Sequence, residues 1–285
     1  MVLDGRIVAA DVKQRLKEEI NERMDVIGRR PKLVIISVGD DPASAVYVRN
    51  KMKAAEEVGI EVKHHQFGTT KKDAFEVISA IYFYNALQEI DGIMVQLPLP
   101  KDWNERAIID AIDPGKDVDG LTTINIGRLR SGQPCFEPCT AAGIIDLCKY
   151  YNIGLEGKNV TIIGRSNIVG KPLADMMMAE GATVTQCHSK TKNLTNHITG
   201  ADIVVSAVGK PKFLTRKNFS FMTEAIIDVG INRDEDGKLC GDVAFDEVVY
   251  YCNYITPVPG GVGPMTVAEL MKNVVEAWRG KIQGE

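Results

Sequence analysis

The chain has 285 residues, of which 45% are hydrophobic, and its 34 basic and 38 acidic residues give a formal net charge of −4. A length of this order predicts about two globular domains, with enough apolar residues for a core in each. The balanced charge gives no indication of a nucleic-acid partner, and no apolar run approaches the roughly 20 residues that span a bilayer.

The first half of the chain predicts helices that alternate with strands. Apolar residues recur every four positions from Val8 to Met24, which indicates an amphipathic helix with a charged outer face. Continuous apolar runs follow, of the kind found in parallel sheets that are covered on both sides. The predicted order is strand 32–38, helix 43–58, strand 59–66, helix 72–87, strand 91–97 and short helix 104–112. This alternation predicts right-handed βαβ units.

The second half repeats the alternation after a segment of little periodicity. Residues 113–120 are predicted as a loop, and residues 121–138 as a crossover between domains. A helix is predicted over 141–151, strands near 159–163, 182–187, 202–206 and 225–229, a rigid proline–glycine loop over 256–264, and a last helix over 267–278.

The cysteines and the first residues of the chain indicate the compartment. The six cysteines are scattered, and Cys135 and Cys139 have neither a second pair nor a nearby histidine, so we expect no metal site. The chain begins without the basic and then apolar pattern of a signal peptide. We therefore expect reduced thiols in a cytoplasmic protein without membrane contact.

A strand, a glycine-containing turn and a helix follow one another from Val160 to Pro172. Residues 160–163 are apolar, Gly164 interrupts the run, and a helical pattern follows with Gly170 at its start. Such a turn presents backbone N–H groups and the positive end of a helix dipole to a phosphate. Because the glycine spacing differs from G-x-G-x-x-G, an ordinary βα turn is the alternative.

The end of the next strand bears on which dinucleotide would bind. In NAD-binding domains, an acidic residue there bonds the ribose 2′-hydroxyl. This chain has His188-Ser-Lys-Thr191 instead, and Arg165 lies at the tip of the preceding turn. A hydroxyl and cations attract a 2′-phosphate that an acid repels, so the sequence favours NADP over NAD.

Tyr47 and Lys51 stand one turn apart on the helix predicted over 43–58. Their positions fall beside, rather than within, an apolar stripe of that helix formed by Ala45, Val48, Met52 and Ala55. This placement suits the wall of a cleft, and the alternative is two residues at a solvent edge. Short-chain dehydrogenases also have Y-x-x-x-K, but after the dinucleotide motif, whereas here the pair precedes it.

Polar residues also follow the strand predicted over 91–97. Gln96 ends that strand, at the edge where open α/β sheets bind ligands, and its amide can orient a neighbour without adding charge. Asp117 and Asp119 lie in the next loop, without a third ligand at calcium-loop spacing. The functional interpretation is one carboxylate that recognises an amino-heterocycle. The alternatives are a satisfied strand-end amide and solvated loop aspartates.

Six motifs combine these residues in a fixed order. They are Tyr47-Val-Arg-Asn-Lys51, Gln96-Leu-Pro-Leu-Pro100, Lys116-Asp-Val-Asp-Gly120, Gly164-Arg-Ser-Asn-Ile-Val-Gly-Lys-Pro172, Asp228-Val-Gly-Ile-Asn232 and Thr256-Pro-Val-Pro-Gly-Gly-Val-Gly-Pro-Met-Thr266. In order and spacing the chain resembles, over essentially its whole length, the tetrahydrofolate dehydrogenase/cyclohydrolase family. One departure is Pro138-Cys-Thr-Ala141, where the family usually has a second proline after the threonine.

The resemblance implies a bifunctional enzyme of one-carbon metabolism. As an oxidoreductase it would oxidise 5,10-methylenetetrahydrofolate to the methenyl form with NADP. As a hydrolase it would convert the methenyl cation to 10-formyltetrahydrofolate, a contribution to purine biosynthesis. The expected partners are tetrahydrofolate derivatives and a second copy of the chain, in a homodimer formed through the second domain.

The resemblance also implies roles for single residues. Lys51 would be the general acid/base of the hydrolysis, positioned by Gln96, and Tyr47 would stack on the folate rings. Asp119 would hold N–H groups of the pterin, and the folate-contacting residues would also include Leu97, Pro98, Val258, Pro259 and Gly260. The dinucleotide would be held by Gly164, Arg165, Ser166, Ile168 and Gly170, with Arg165 and Ser189 on the 2′-phosphate and Ile231 near the nicotinamide.

The fold implied is two three-layer α/β domains facing a cleft, the second a Rossmann-type NADP-binding domain. Residues 1–120 and 267–285 would form the catalytic folate-binding domain, and 139–266 the NADP-binding domain, with 121–138 as the crossover. The alternatives are an enzyme with one activity or with NAD preference, a dinucleotide sensor without catalysis, and a shikimate-type or amino-acid dehydrogenase.

Overall fold

The structure is a computed structural model that describes residues 1–220 and 222–280, apart from the side chain of Ala43. These residues form two compact units. The three-stranded unit comprises Ala10–Glu137 and the described part of Val267–Glu285, and the five-stranded unit comprises Met1–Ala9 and Pro138–Thr266. In the part of the chain that is described, no helix has the length and apolar character to cross a membrane.

The elements alternate along the chain as the sequence predicts. The helices are α1 (Gly5–Ile27), α2 (Pro42–Val58), α3 (Lys71–Ala86), α4 (Glu105–Asp110), α5 (Thr123–Arg130), α6 (Cys139–Tyr150), α7 (Gly170–Ala179), α8 (Leu194–Thr199), α9 (Phe245–Val248) and α10 (Val262–Gly280). The strands are β1 (Lys32–Val38), β2 (Glu61–Phe67), β3 (Gly92–Val95), β4 (Asn159–Ile163), β5 (Thr183–Cys187), β6 (Ile203–Ser206), β7 (Thr223–Asp228), β8 (Asn232–Arg233), β9 (Leu239–Cys240) and β10 (Cys252–Ile255).

The three-stranded unit is built on the parallel sheet β2-β1-β3. Residues of β1 alternate between its faces, and Val34 and Ile36 pack with Val77 and Ile81 of α3 in one core. Helix α2 contacts β1 and β2. Because β3 runs parallel to β1, its carboxyl end brings Gln96 to the edge of the sheet where β1 also ends.

Helix α2 has a defined signal at each end. Asp41 accepts a hydrogen bond from Ser44 N–H at 2.7 Å, and Pro42 begins the helix without needing a partner for an N–H. Gly59 ends it with φ of 96°, and its N–H bonds to the carbonyls of Ala55 and Glu56. The strand predicted from Gly59 therefore begins two residues later, at Glu61.

Replacing Asp41 by alanine removes the hydrogen bond that caps α2. We expect Asp41→Ala to lower the free energy of unfolding by about 1 kcal/mol, measured by urea denaturation. Asp40→Ala is the matched control, because Asp40 is exposed and does not cap the helix. An equal loss from both substitutions would contradict the capping role.

The five-stranded unit has the parallel order β10-β7-β6-β4-β5. The chain moves from β4 outward to β5 and then returns to β6 on the other side of β4. The loops after β4 and β6 therefore diverge at the switch point where open α/β sheets bind ligands. Parallel sheets in both units confirm the predicted α/β class.

Several elements differ from the prediction for local reasons. Helix α5 lies within the predicted crossover, where Gly127 and few apolar residues conceal its periodicity. Strand β10 has only four residues, with the two middle ones polar or partly exposed, so it forms no apolar run. Strands β8 and β9 form a short antiparallel ribbon. Helix α10 begins inside the predicted proline–glycine loop, because a proline is tolerated in a first helical turn.

The first nine residues pack in the five-stranded unit rather than in the domain predicted for them. Leu3 N–H donates to the carbonyl of Ile255 at 2.8 Å, and Gly5 N–H donates to that of Gly260 at 2.9 Å. A bridge between Val2 and Ile255 continues this pairing along β10. These are long-range backbone contacts, which no local pattern reveals.

Candidate functional site

The three-stranded unit buries a lysine against an amide at the carboxyl end of β3. Lys51 Nζ donates to Gln96 Oε1 at 3.0 Å, and each residue is 9% exposed. Gln96 Nε2 donates to the carbonyl of Leu97 at 2.7 Å, which directs the amide oxygen towards the lysine. No carboxylate among the described residues pairs with Lys51. Nζ thus keeps hydrogens for a ligand while a neutral amide holds it in place.

Lys51 belongs to the buried face of α2, together with Val48, Ala55 and Val58. The prediction that it lies beside an apolar stripe was wrong, because Ala45 is exposed and the stripe is rotated towards the lysine. A hydrophobicity pattern assigns lysines to the outside, so the sequence offered no signal for this burial. Tyr47 lies one turn earlier and is half-buried.

Leu97 and Pro98, which follow Gln96, differ in how far they are buried. Leu97 is half-buried and packs against the core that contains Val34 and Ile36, whereas Pro98 is exposed. The backbone N–H of Gln96 donates to the carbonyl of Ile36 at 2.8 Å and continues the ladder beyond β3. This bond fixes where the segment leaves the sheet.

The two loop aspartates have different roles. The carboxylate of Asp117 is 1% exposed and accepts N–H groups of Leu121 and Thr122, at 3.1 and 2.8 Å, and of Asn125 Nδ2 at 2.9 Å. Burial nevertheless raises the pKa of Asp117. Asp119 is half-buried, and no described residue bonds its carboxylate. Asp117 therefore holds the start of α5, and Asp119 is the carboxylate available to a ligand.

Val258, Pro259 and Gly260 follow β10 and belong to the five-stranded unit. Gly260 is buried with φ of 110°, a conformation that favours glycine, and a Cβ there would lie 3.2 Å from the guanidinium of Arg6. Val258 is half-buried, and Pro259 is exposed. Lys51 and Gln96 lie in the other unit.

The turn after β4 is closed by two glycines that have no room for a side chain. A Cβ on Gly164, whose φ is 130°, would lie 2.3 Å from the carbonyl oxygen of Ala207. A Cβ on Gly170 would lie 2.4 Å from the carbonyl oxygen of Gly164. The backbone can therefore bring its N–H groups close to a phosphate at the start of α7.

Ser166 organises this turn. Its Oγ accepts the N–H groups of Val169 at 3.2 Å and Gly170 at 3.3 Å, which leaves its own hydroxyl proton for a ligand. Arg165 and Ser166 are exposed, and Ile168 is 40% exposed. The turn thus brings the predicted dinucleotide residues together and presents two of them, Arg165 and Ser166, as polar side chains at its surface.

The turn after β5 lies next to the glycine turn because β4 and β5 are paired. Gly164 N–H donates to the carbonyl of Cys187 at 2.9 Å, and Gln186 Nε2 donates to the carbonyl of Gly164 at 3.3 Å. Residues 188–191 form a tight turn in which His188 N–H donates to Thr191 Oγ1 at 2.9 Å. Ser189 is exposed at its tip, and the turn contains no acid to repel a 2′-phosphate.

Ile231 follows β7 and is 45% exposed, so it is available to a ligand. The residues before it are held by Asp228, whose carboxylate accepts N–H groups of Gly230, Asp242 and Val243 at 2.9–3.0 Å. Asp242 is fully buried beside it. Asp242 is not among the site residues predicted from the sequence, and its local signal is the short sequence Gly241-Asp-Val.

The burial of the Asp228 carboxylate predicts that the stability of the chain depends on pH. Burial outweighs its hydrogen bonds and raises the pKa of Asp228 from 3.8 to about 7. The folded state therefore binds the Asp228 proton more tightly than the unfolded state does. The resulting stabilisation is fully present below pH 3.8 and is lost as the pH rises from 3.8 to about 7. We expect the free energy of unfolding to fall there by up to about 1.4 kcal/mol per pH unit from this group.

Denaturant titrations across that pH interval measure this slope, with Asp228→Asn as the comparison. The variant has no proton to lose, so its slope should be smaller than that of the unchanged chain. Equal slopes would show that another group causes the dependence.

A cavity of about 920 Å³ lies elsewhere in the three-stranded unit, between α2 and β2. Its lining includes Val48, Met52, Val62 and His64, and none of the predicted site residues. The six cysteines are free thiols, and the described residues contain no group of three or more His, Cys, Asp or Glu placed to hold a metal ion.

Comparison with known proteins identifies both halves of the chain. A model of the tetrahydrofolate dehydrogenase/cyclohydrolase catalytic domain matches residues 3–119, and a model of the NAD(P)-binding domain of the same family matches residues 138–282. The bifunctional protein FolD of Agathobacter rectalis is 49% identical over 281 residues, which cover 98% of this chain and 99% of that protein.

Solved structures agree with the sequence relatives. The bifunctional FolD enzyme of Campylobacter jejuni has a TM-score of 0.95 and 42% identity, with 99% of each chain covered. The Trypanosoma brucei methylenetetrahydrofolate dehydrogenase-cyclohydrolase, solved with NADP and an inhibitor, has a TM-score of 0.94 and 35% identity, covering 100% of this chain and 99% of that one. These matches confirm the predicted resemblance. The chain belongs to the tetrahydrofolate dehydrogenase/cyclohydrolase family.

Proposed function

We propose that the chain catalyses both reactions of its family. It oxidises 5,10-methylenetetrahydrofolate to 5,10-methenyltetrahydrofolate with NADP, and it hydrolyses the product to 10-formyltetrahydrofolate. The observation that carries the proposal is the buried bond between Lys51 Nζ and Gln96 Oε1, in a chain matched by both domains of the family. A protein that only sensed a dinucleotide would not need this pair.

Lys51 serves the hydrolysis as general acid/base. In its neutral amine form, Nζ accepts a proton from the water that attacks the methenyl carbon, and it returns this proton to folate N5 as the bond between that carbon and N5 breaks. The hydroxyl proton of the intermediate is released to solvent as the formyl C=O forms. Gln96 holds Nζ in place with a neutral amide. Tyr47 stacks on the folate rings, Asp119 accepts N–H groups of the pterin, and Leu97 and Pro98 contact the same ligand.

The five-stranded unit holds the dinucleotide. Gly164, Arg165, Ser166, Ile168 and Gly170 bind it at the turn before α7, Ser189 joins Arg165 at the 2′-phosphate, and Ile231 contacts the nicotinamide. NADP, when bound, supplies the hydride acceptor. The two glycines without room for a Cβ, and the absence of an acid in the 188–191 turn, fit this cofactor. Val258, Pro259 and Gly260 are assigned to folate binding on the family motif alone.

The same proposal includes the organisation of the protein. On the family resemblance, residues 1–120 and 267–285 are assigned to the folate-binding catalytic domain, residues 139–266 to the NADP-binding domain and residues 121–138 to the crossover, although residues 1–9 pack with the five-stranded unit. The chain acts in the cytoplasm as a homodimer formed through its NADP-binding domain. Its product, 10-formyltetrahydrofolate, supplies purine biosynthesis. Sedimentation of the purified chain tests the dimer.

A two-wavelength assay tests the reactions. NADPH formation from 5,10-methylenetetrahydrofolate is followed while methenyltetrahydrofolate is monitored separately. NADPH formation with hydrolysis of methenyltetrahydrofolate faster than its spontaneous decay supports both activities. Accumulation of methenyltetrahydrofolate would overturn the cyclohydrolase assignment, and no reduction of NADP or NAD would overturn the enzyme assignment.

A further inference from the structure

The carboxylate of Asp242 accepts hydrogen bonds from several residues of the loop that follows β6. It accepts five hydrogen bonds, from Ser206 Oγ, Val208 N, Gly209 N, Lys210 N and Asn232 Nδ2, at 2.7–3.3 Å. Three of these donors are consecutive backbone N–H groups, an arrangement that elsewhere binds anions. Here a fully buried side chain of the same unit occupies it.

This loop lies against the glycine turn. Ala207 N–H donates to the carbonyl of Ile163 at 2.8 Å, and the carbonyl of Ala207 fills the space that a Cβ on Gly164 would need. The loops after β4 and β6 flank the switch point of the sheet, where a ligand is expected. The position of the loop after β6 therefore affects the backbone position of the glycine turn, and with it the way in which that turn can bind a dinucleotide.

The same carboxylate acts on the segment that contains Ile231. Asn232 Nδ2 bonds to Asp242 Oδ1 at 2.9 Å, immediately after Ile231. Immediately before it, Gly230 N–H bonds to Asp228 Oδ1 at 3.0 Å, and Asp228 Oδ1 also accepts the N–H of Asp242 at 2.9 Å. Ile231 itself is exposed between two anchored neighbours. Two buried carboxylates thus hold the neighbours of a side chain that can contact a ligand: Asp228 holds the backbone of Gly230, and Asp242 holds the side chain of Asn232.

From this geometry we infer that Asp242 is a positioning residue for the nicotinamide half of the cofactor, acting through the loop 206–210 and through Asn232. The inference rests on the proposed function. It separates two parts of the dinucleotide site, since Arg165 and Ser189 serve the 2′-phosphate, whereas Asp242 serves the opposite half of the ligand.

Two probes test this separation by direct binding measurements. NADP occupies the whole site, whereas adenosine 2′,5′-bisphosphate carries only the adenosine and the 2′-phosphate. In Asp242→Asn, an amide N–H₂ replaces one acceptor oxygen among buried donors. We expect NADP affinity to fall about tenfold, with binding of adenosine 2′,5′-bisphosphate unchanged. Dehydrogenase activity should fall, whereas hydrolysis of methenyltetrahydrofolate, which uses no NADP, should be retained.

Asp202→Asn is the matched control. Asp202 also accepts backbone N–H, from Asn159 at 2.8 Å, but at the amino end of the strands. It should lose stability without losing NADP affinity. Asn232→Ala is a second variant that leaves the buried carboxylate intact and should weaken NADP binding in the same direction, with a smaller effect.

The outcomes are distinguishable. Equal losses for both probes, or an unchanged NADP affinity in Asp242→Asn and Asn232→Ala, would overturn the positioning role. If the unchanged chain bound NADP but did not oxidise methylenetetrahydrofolate, the proposed function would fail while the binding comparison would still decide the role of Asp242.

Discussion

Lys51→Met is expected to abolish most of the cyclohydrolase activity, with a loss of about 10²- to 10⁴-fold in the rate of methenyltetrahydrofolate hydrolysis. Methionine keeps much of the volume and the flexibility of the lysine stem in a site that is 9% exposed, but it carries no transferable proton. The measurement is the enzymatic decay of methenyltetrahydrofolate after subtraction of its spontaneous hydrolysis.

Two further substitutions distinguish loss of the acid/base group from loss of a positive charge and from a general effect of removing a lysine. Lys51→Arg retains the positive charge but does not give up a proton near neutral pH, so it should also be inactive in hydrolysis. Lys53→Met, two residues along the same helix, removes an exposed lysine and should retain activity. Hydrolysis at the normal rate in Lys51→Met would contradict the acid/base role. Hydrolysis at the normal rate in Lys51→Arg would show that Lys51 contributes only its positive charge.

Arg165→Ala is expected to change which dinucleotide the enzyme prefers. Arg165 is exposed at the tip of the glycine turn, next to a turn in which Ser189 is also exposed. Loss of charge-assisted hydrogen bonds to a 2′-phosphate should raise the KM for NADP by about 10- to 100-fold. The KM for NAD, which has no such phosphate, should change little. Initial rates with both dinucleotides measure the ratio.

Lys158→Ala provides the charge-matched control for Arg165→Ala. Lys158 immediately precedes β4, at the opposite end of that strand from Gly164, and pairs with Glu224. It changes the net charge by the same amount without removing a group from the turn. Parallel increases in KM for NADP and NAD in Arg165→Ala would indicate a damaged turn rather than a lost phosphate contact.

The alternation of helices and strands, and most of the cofactor turn, could be predicted from the residues alone. Apolar runs between helical periods predict βα units, and parallel strands necessarily bring their carboxyl ends to one edge of a sheet. Gly164 and Gly170 could be singled out because a tight strand–helix turn excludes side chains from such positions. These features depend on residues that are close together along the chain.

Which polar residues are buried, and which groups they bond, depends on contacts between distant parts of the chain. Lys51 and Gln96 are 45 residues apart, and their bond exists because α2 packs over a sheet that ends at Gln96. The sequence left Asp117 and Asp119 equivalent from the residues alone, but only Asp117 is consumed by backbone N–H groups. Asp242 reaches donors up to 36 residues away. Such contacts depend on topology, because a buried charge is stabilised only where the fold brings its partners to it.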